Sequence, residues 1–129
     1  GFLIQKFGLK TIAISGIVLL LLSSLANIVA HTYTALSLSL LTLGLGWNFT
    51  YVGGSALLSN CLEGKPQAMA VQGLNDLGVS IFATLGAFAP AFLFSFAGWS
   101  GTNILAGLIC LMLLLLSLIY IPPQTSGKP

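Results

Sequence analysis

The sequence predicts an all-α membrane protein with four transmembrane helices, and three observations support this fold class. Only 5% of the 129 residues are charged and 57% are hydrophobic, whereas an ordinary soluble domain has roughly 25% charged residues. The mean hydropathy is +1.04. Four apolar stretches each reach the about 20 residues that a helix needs to cross a bilayer. The lipid bilayer is therefore the first partner that the sequence predicts.

Four predicted helices, A to D, cover residues 11–30, 35–59, 66–96 and 102–121 within a membrane segment at 11–121. Short connectors make consecutive helices antiparallel neighbours. Pro66 is expected in the first turn of helix C, where a proline loses no helical hydrogen bond, and residues 97–101 are expected to connect helices C and D. Residues 1–10 form a loop before helix A, and residues 122–129 form a polar tail.

The four lysines predict how the helices are oriented. Lys6 and Lys10 precede helix A, Lys65 lies between helices B and C, and Lys128 lies in the tail. With four crossings these segments share one side of the membrane, and the other two loops contain no lysine or arginine. The positive-inside rule then places both ends of this sequence in the cytoplasm, at the cell membrane.

The helices differ in character. Helices A and D are rich in leucine and are predicted to face lipid, apart from narrow seams of small or polar residues where neighbours meet. These seams are Gly16, Ser23 and Asn27 on helix A, and Asn103, Gly107, Cys110, Leu114 and Ser117 on helix D. Helices B and C concentrate the glycines and polar side chains, and they are predicted to be the inner pair. The expected order is outer, inner, inner, outer.

Helix B contains four polar or aromatic residues at helical spacing, Trp47, Asn48, Tyr51 and Ser55. Trp47 and Asn48 fall near mid-membrane, where an indole N–H and an amide need hydrogen-bond partners. A water-filled solute cavity would supply partners, and so would a neighbouring helix. Both interpretations remain open, and these four residues are the candidates for lining a solute cavity.

Helix C contains Gln72, Asn75 and Asp76 on one face, followed by small residues. Asp76 is the ionisable residue within a predicted span, and its burial in lipid would cost at least about 2.5 kcal/mol. It has three open interpretations: a structural or gating group hydrogen-bonded with Gln72 and Asn75, a proton-coupling carboxylate, or a side chain that extends to the cytoplasmic headgroups. The three residues are candidates for a gate or helix interface.

Several function classes are not favoured by the sequence. No Ser/His/Asp grouping, phosphate loop or metal-ligand spacing is present, so neither an enzyme nor a cofactor or metal site is predicted. A net charge of +2 and the lack of arginine give no sign of nucleic-acid binding. Cys61 falls in a polar loop and Cys110 in an apolar run, so no disulfide is expected.

Three stretches of this sequence resemble the major facilitator superfamily. The first ten residues resemble its loop motif G-x-L-x-D-R-x-G-R-[KR]: Lys6 stands at the basic position, Gln5 departs from the acidic one, and Gly1, Leu3, Gly8 and Lys10 match. Residues 44–49 and 72–76 are similar to bacterial members. The departure at Gln5 gives no basis for a charge-relay role of this loop.

The resemblance implies the last third of a twelve-helix secondary transporter whose N-terminal helices are missing from this fragment. Such a permease moves a small solute by alternating access, in some cases with protons. Helix B would line the cavity, helix C would lie between the two halves, and helices A and D would face lipid. Two alternatives remain: a complete four-helix exporter of the small multidrug type, whose first-helix glutamate is absent from helix A, and a non-transporting assembly or anchor subunit.

Overall fold

The computed structural model describes residues 6–120, and three long helical segments dominate them. We label these α1 (Leu9–Val29), α2 (Tyr33–Leu62) and α3 (Ala68–Tyr120). Each is long and apolar enough to cross a membrane. Residues 6–120 therefore have an all-helical fold with three candidate membrane-spanning segments. The first half of the loop motif (residues 1–5) and the tail (122–129) lie outside the described residues.

Helix α3 is divided by a single residue. Its 53 residues would extend about 80 Å as a straight helix, against a hydrocarbon core of about 30 Å. At Gly98 the backbone is non-helical, with φ 63° and ψ −171°, a conformation that glycine adopts at little cost. We call residues 68–97 arm 1 and residues 99–120 arm 2. The five-residue connector expected at 97–101 is wrong, because one glycine makes the break and helix resumes at Trp99.

Helices α1 and α2 are antiparallel and pack through glycines. A Cβ on Gly53 would lie 2.8 Å from the backbone nitrogen of Ala13, and a Cβ on Gly46 would lie 2.9 Å from that of Leu20. Gly16 packs in the same way against the backbone of Thr50. Backbones approach this closely only where side chains are missing, as small-residue contacts in membranes require.

Arm 2 packs against α1 through the seam predicted for helix D. Gly107 is buried, and a Cβ there would lie 3.7 Å from the Cβ of Ser24. The other predicted seam residues are all half-buried, in an arm whose leucines are mostly exposed: Asn103, Cys110, Leu114 and Ser117. On α1, Gly16, Ser23 and Asn27 are buried. Both predicted seams are confirmed.

Four residues form a hydrogen-bonded cluster where α1, α2 and arm 2 meet. The Ser23 hydroxyl donates to the Ser39 carbonyl at 2.7 Å, and the Ser39 hydroxyl donates to Asn27 Oδ1. The Trp99 indole N–H donates to the Asn27 carbonyl at 2.7 Å. We call Ser23, Asn27, Ser39 and Trp99 the polar cluster. Within residues 6–120, every buried side-chain nitrogen or oxygen has a hydrogen-bond partner, so no buried polar group is left to lipid.

Arm 1 is the least buried part of the described chain. It begins after the C-terminal end of α2, and it ends next to Trp99 in the polar cluster, which lies near the start of α2. Arm 1 therefore runs antiparallel to α2. Arm 2 starts at the polar cluster and runs back along α1, so arm 1 is also antiparallel to arm 2. None of residues 68–97 is buried, whereas eight residues of α1 are. The expected outer, inner, inner, outer order concerns which helices face lipid and stays a prediction, but within residues 6–120 α1 is the most buried helix. The reason is that α1 lies between α2 and arm 2, while arm 1 touches its neighbours sparsely.

Candidate binding groove

An open groove of about 670 Å³ lies between α2 and arm 1. We call it the α2–arm 1 groove. Trp47 supplies its α2 wall, and arm 1 supplies the opposite wall with Asn75, Gly78, Val79, Phe82, Ala83 and Gly86. The volume falls within the range of about 300–1,000 Å³ that is usual for small-molecule sites.

The arm 1 wall follows from helical spacing. Its residues lie at i, i+3, i+4, i+7, i+8 and i+11 from Asn75, so they share one face of the helix. Small residues on this face leave room beside α2: a Cβ added at Gly78 or Gly86 would meet nothing within 4 Å. The glycines and Ala83 on this face therefore leave space beside Trp47, between the larger side chains of Asn75, Val79 and Phe82.

The groove lies at mid-helix depth. Trp47 is 14 residues after the start of α2 at Tyr33, which is about 21 Å along the axis, and a similar length follows it. Phe82 is 14 residues after the start of α3 at Ala68, at about the same depth. In a membrane this is the level of the bilayer centre, where a polar group needs a partner within the protein or a water-filled cavity.

Two polar side chains line a groove that is otherwise apolar. These are the Trp47 indole N–H and the Asn75 amide, and no lining residue is charged. The Asn75 amide Nδ2 donates to Asp76 Oδ1 at 3.3 Å. Asn75 keeps its second N–H and the acceptor Oδ1 for other partners. The groove can therefore offer one donor–acceptor pair and one further donor to a neutral molecule.

The structure brings together one residue from each predicted candidate set. Trp47, predicted for the cavity, and Asn75, predicted for the gate, line the same groove. Asn48 does not line it: its Nδ2 donates to the Gly44 carbonyl of its own helix at 2.9 Å. Tyr51 is exposed and Ser55 is half-buried, both outside the lining.

The other two helix C candidates lie beside the groove, outside its lining. Gln72 is half-buried, one turn before Asn75, and Asp76 is exposed. The Asp76 backbone carbonyl accepts a hydrogen bond from the Ser80 hydroxyl at 2.8 Å. The Asp76 carboxylate is linked to the groove lining by the hydrogen bond that its Oδ1 accepts from Asn75.

Sequence reasoning missed Gly78 and Phe82 as lining residues. Phe82 was not distinguished from the other phenylalanines of helix C. The available signal was its spacing, because Gly78, Phe82 and Gly86 recur every four residues and so stack along one line of the helix. A large ring between two glycines on the polar side of a helix indicates a surface shaped around that ring.

Comparison with known proteins gives the family. All of residues 1–129 match the profile of the Major Facilitator Superfamily. The riboflavin transporter RfnT of Brucella anthropi is 29% identical over 128 residues, which cover 96% of this chain and 31% of that protein. The uncharacterized MFS-type transporter YddS of Bacillus subtilis is 30% identical over 116 residues, covering 88% of this chain and 26% of that protein. No solved structure matches the chain.

The chain thus spans less than a third of the length of these two curated relatives. The family match extends from the loop motif through all three helical segments, and the apolar helices are those of a multi-pass membrane protein. The resemblance seen in the sequence is confirmed: this chain belongs to the Major Facilitator Superfamily.

Proposed function

We propose that this chain is the C-terminal third of a secondary transporter that moves a small organic solute across the cell membrane by alternating access. The family match over residues 1–129 supports membrane transport, and the segments that the two curated relatives share with this chain make up 31% and 26% of their lengths. The observation that carries the proposal is the mid-depth α2–arm 1 groove, which has the size of a small-molecule site.

The proposed topology has four crossings, α1, α2, arm 1 and arm 2, in a twelve-helix bundle. The break at Gly98 supports separate crossings for the two arms of α3. The antiparallel packing of α1 and α2 brings Lys6, Lys10 and Lys65 to one end of the bundle, with His31 at the other. The positive-inside rule then favours a cytoplasmic location for the lysine end and for both ends of this chain.

The exposed surface of arm 1 supports a place between two halves of a larger protein. Its apolar side chains are left largely uncovered by α2, and Phe82, Phe88 and Phe96 are more than 70% exposed. In the proposed bundle, upstream helices cover part of this surface, and lipid covers the rest. The groove then becomes one wall of a central cavity, with Trp47 and Asn75 facing the solute.

Asp76 has a positioning role in this proposal. Its carboxylate accepts a hydrogen bond from Asn75, and in this proposal that bond holds the Asn75 amide in place at the groove. If Asp76 also carries protons, an imposed proton gradient will drive solute accumulation in the native transporter, and Asp76→Asn will abolish that accumulation but leave exchange across the membrane intact. If the Asp76→Asn variant retains full gradient-driven accumulation, the carboxylate has a positioning role alone.

Cysteine accessibility tests alternating access without knowledge of the solute. In the complete polypeptide, with Cys61 and Cys110 replaced by serine, we expect Ala83→Cys in the groove to react with membrane-impermeant maleimide in both right-side-out and inside-out vesicles. If the groove opens alternately to each side of the membrane, the maleimide can reach it from either side.

The matched control is Phe88→Cys in the same helix. Phe88 lies nine residues after Val79, or two and a half turns, on the side of arm 1 away from the groove. We expect it to react from neither side. Reaction of Ala83→Cys from one side only, or from neither, would contradict alternating access through this groove.

A further inference from the structure

We infer that the α2–arm 1 groove binds a neutral, planar heteroaromatic solute with an amide-like edge, that is, a ring N–H beside a ring carbonyl. This inference rests on the proposed function and specifies the class of solute. Three observations support it: the aromatic and glycine surfaces of the groove, the lack of charge in its lining, and the presence of the Asn75 amide in that lining.

The groove presents flat surfaces. Trp47 contributes an indole ring from α2, and Phe82 contributes a phenyl ring from arm 1, at about the same depth. Gly78 and Gly86 lie one turn before and one turn after Phe82, and neither has a side chain to interrupt the wall. Aromatic rings bind other rings through their faces and edges. A planar ring system fits such walls better than a branched or globular solute.

The lining residues select against charge. None of the seven lining residues is ionisable, and a charged group at this depth without a partner is costly to bury. The described ionisable group beside the groove is the Asp76 carboxylate, which would repel an anion. The lysines at positions 6, 10 and 65 lie near the ends of the helices, about 15 Å or more from the groove centre along the axis. A neutral solute meets no such penalty.

The Asn75 amide supplies the hydrogen-bonding edge. Nδ2 donates one hydrogen to Asp76, and the amide keeps a second N–H and the coplanar carbonyl Oδ1 as a donor and an acceptor for another partner. Side-chain amides pair in this two-point manner with the donor–acceptor edges of heterocyclic bases. A ring N–H beside a ring carbonyl is complementary to the pair, and the Trp47 indole N–H can donate to a second carbonyl.

Uptake by the complete polypeptide in proteoliposomes tests this class. The neutral planar probes are radiolabelled riboflavin, inosine and uridine, each with an N–H beside a carbonyl. The contrasting probes are ribitol, which is neutral but not planar, and flavin mononucleotide, which is planar but anionic. We expect saturable uptake of at least one planar neutral probe and of neither contrasting probe.

Variants then assign the contacts for whichever planar probe is transported. Trp47→Leu and Phe82→Leu are expected to raise KM about fivefold to tenfold through lost ring contacts. Asn75→Leu is expected to raise KM by a similar factor through the lost hydrogen bonds. A probe methylated at the ring nitrogen lacks the N–H that pairs with Asn75. Its KM for the unmodified protein should therefore be about as high as that of the parent probe for Asn75→Leu, and Asn75→Leu should not raise it further. Phe88→Leu is the control, expected to leave KM unchanged.

Two results would overturn the inference. The first is uptake of ribitol or flavin mononucleotide with none of the planar neutral probes, or uptake of none of the five. The second is that Trp47→Leu and Phe82→Leu reduce the amount of folded protein with KM unchanged, because the groove would then hold a helix or an acyl chain. The vesicle labelling of Ala83→Cys is independent of solute, so failure of the solute class remains distinct from failure of alternating access.

Discussion

Replacing Gly53 with alanine places a methyl group where α1 and α2 touch. The new Cβ would lie 2.8 Å from the backbone nitrogen of Ala13, 2.9 Å from its Cα and 3.0 Å from its Cβ. Two of these three atoms belong to the backbone, so no side-chain rotation can relieve the contact, and the helices must separate. At Gly54, the next residue, a Cβ meets nothing within 4 Å. Gly54→Ala is therefore a closely matched control.

The expected magnitude comes from two opposing effects. Overfilling a packed interface typically costs about 1–3 kcal/mol. Replacing glycine by alanine in the middle of a helix contributes up to about 1 kcal/mol in the other direction, and both variants gain this contribution. The free energy of unfolding of Gly53→Ala should therefore lie about 1–3 kcal/mol below that of Gly54→Ala, and Gly54→Ala should equal or exceed the unmodified protein.

The assay is steric-trap unfolding of the complete polypeptide in one detergent, which yields a free energy for each variant. A second substitution examines the geometry further. Ala13→Gly removes the Cβ that lies 3.0 Å away but leaves the closer backbone atoms in place. Added to Gly53→Ala, it should restore only part of the lost stability. Full restoration would mean that the Ala13 methyl group, and not the backbone, limits the approach.

Equal free energies for Gly53→Ala and Gly54→Ala would refute the close approach of α1 and α2 at this position. A lower value for Gly54→Ala than for Gly53→Ala would reverse the assignment, because Gly54 would then be the glycine that faces a neighbouring helix.

Three further predictions concern other described features. Trp99→Phe removes the N–H that donates to the Asn27 carbonyl at 2.7 Å and should lower the free energy of unfolding by about 1 kcal/mol in the same assay. Gly98→Ala forces a side chain into a backbone conformation with φ 63° and should cost about 1–2 kcal/mol, measured likewise. Cys61 is exposed at the end of α2, whereas Cys110 lies half-buried within arm 2. In inside-out vesicles an impermeant maleimide should modify Cys61 rapidly and Cys110 only after unfolding.

Each of these has a control. Tyr33→Phe also removes one polar hydrogen, but from a side chain that is 93% exposed, and it should leave stability unchanged. Gly73→Ala places a Cβ in a helical position with nothing within 4 Å, so a loss equal to that of Gly98→Ala would contradict the role of the Gly98 backbone. Cys61→Ser and Cys110→Ser identify the labelled thiol, and faster modification at Cys110 than at Cys61 would contradict the observed exposure.

The helix seams could be predicted from sequence because they depend on local properties. Side-chain size and the 3.6-residue period fix which face of a helix can approach a neighbour, so Gly16 and Asn27 on one helix and Gly107 on another were identified without tertiary information. The family resemblance could also be recognised from sequence, because each of its loop and helix motifs is a contiguous stretch of the chain.

Three features depend on tertiary structure and could not be predicted. The break at Gly98 required knowing that one residue with positive φ is enough to turn the chain. The groove required bringing Trp47 of α2 beside Asn75 and Phe82 of arm 1, and no periodicity relates residues on different helices. The exposure of arm 1 was missed because polar residues along a helix indicate that it has a partner, but they do not identify the partner. Among the described helices neither α1 nor α2 covers the polar face of arm 1.

The polar cluster and the glycine contacts have a consequence for biosynthesis. The closest interhelical approaches at Gly16, Gly46 and Gly53 lie within residues 9–62, as do the two hydroxyl hydrogen bonds that join Ser23, Asn27 and Ser39. The α1–α2 hairpin can therefore close in the bilayer while the ribosome is still translating arm 1. Trp99 joins 37 residues after the end of α2, at Leu62. The nascent chain thus completes a hairpin first and then packs arm 2 against it, while no residue of arm 1 becomes buried.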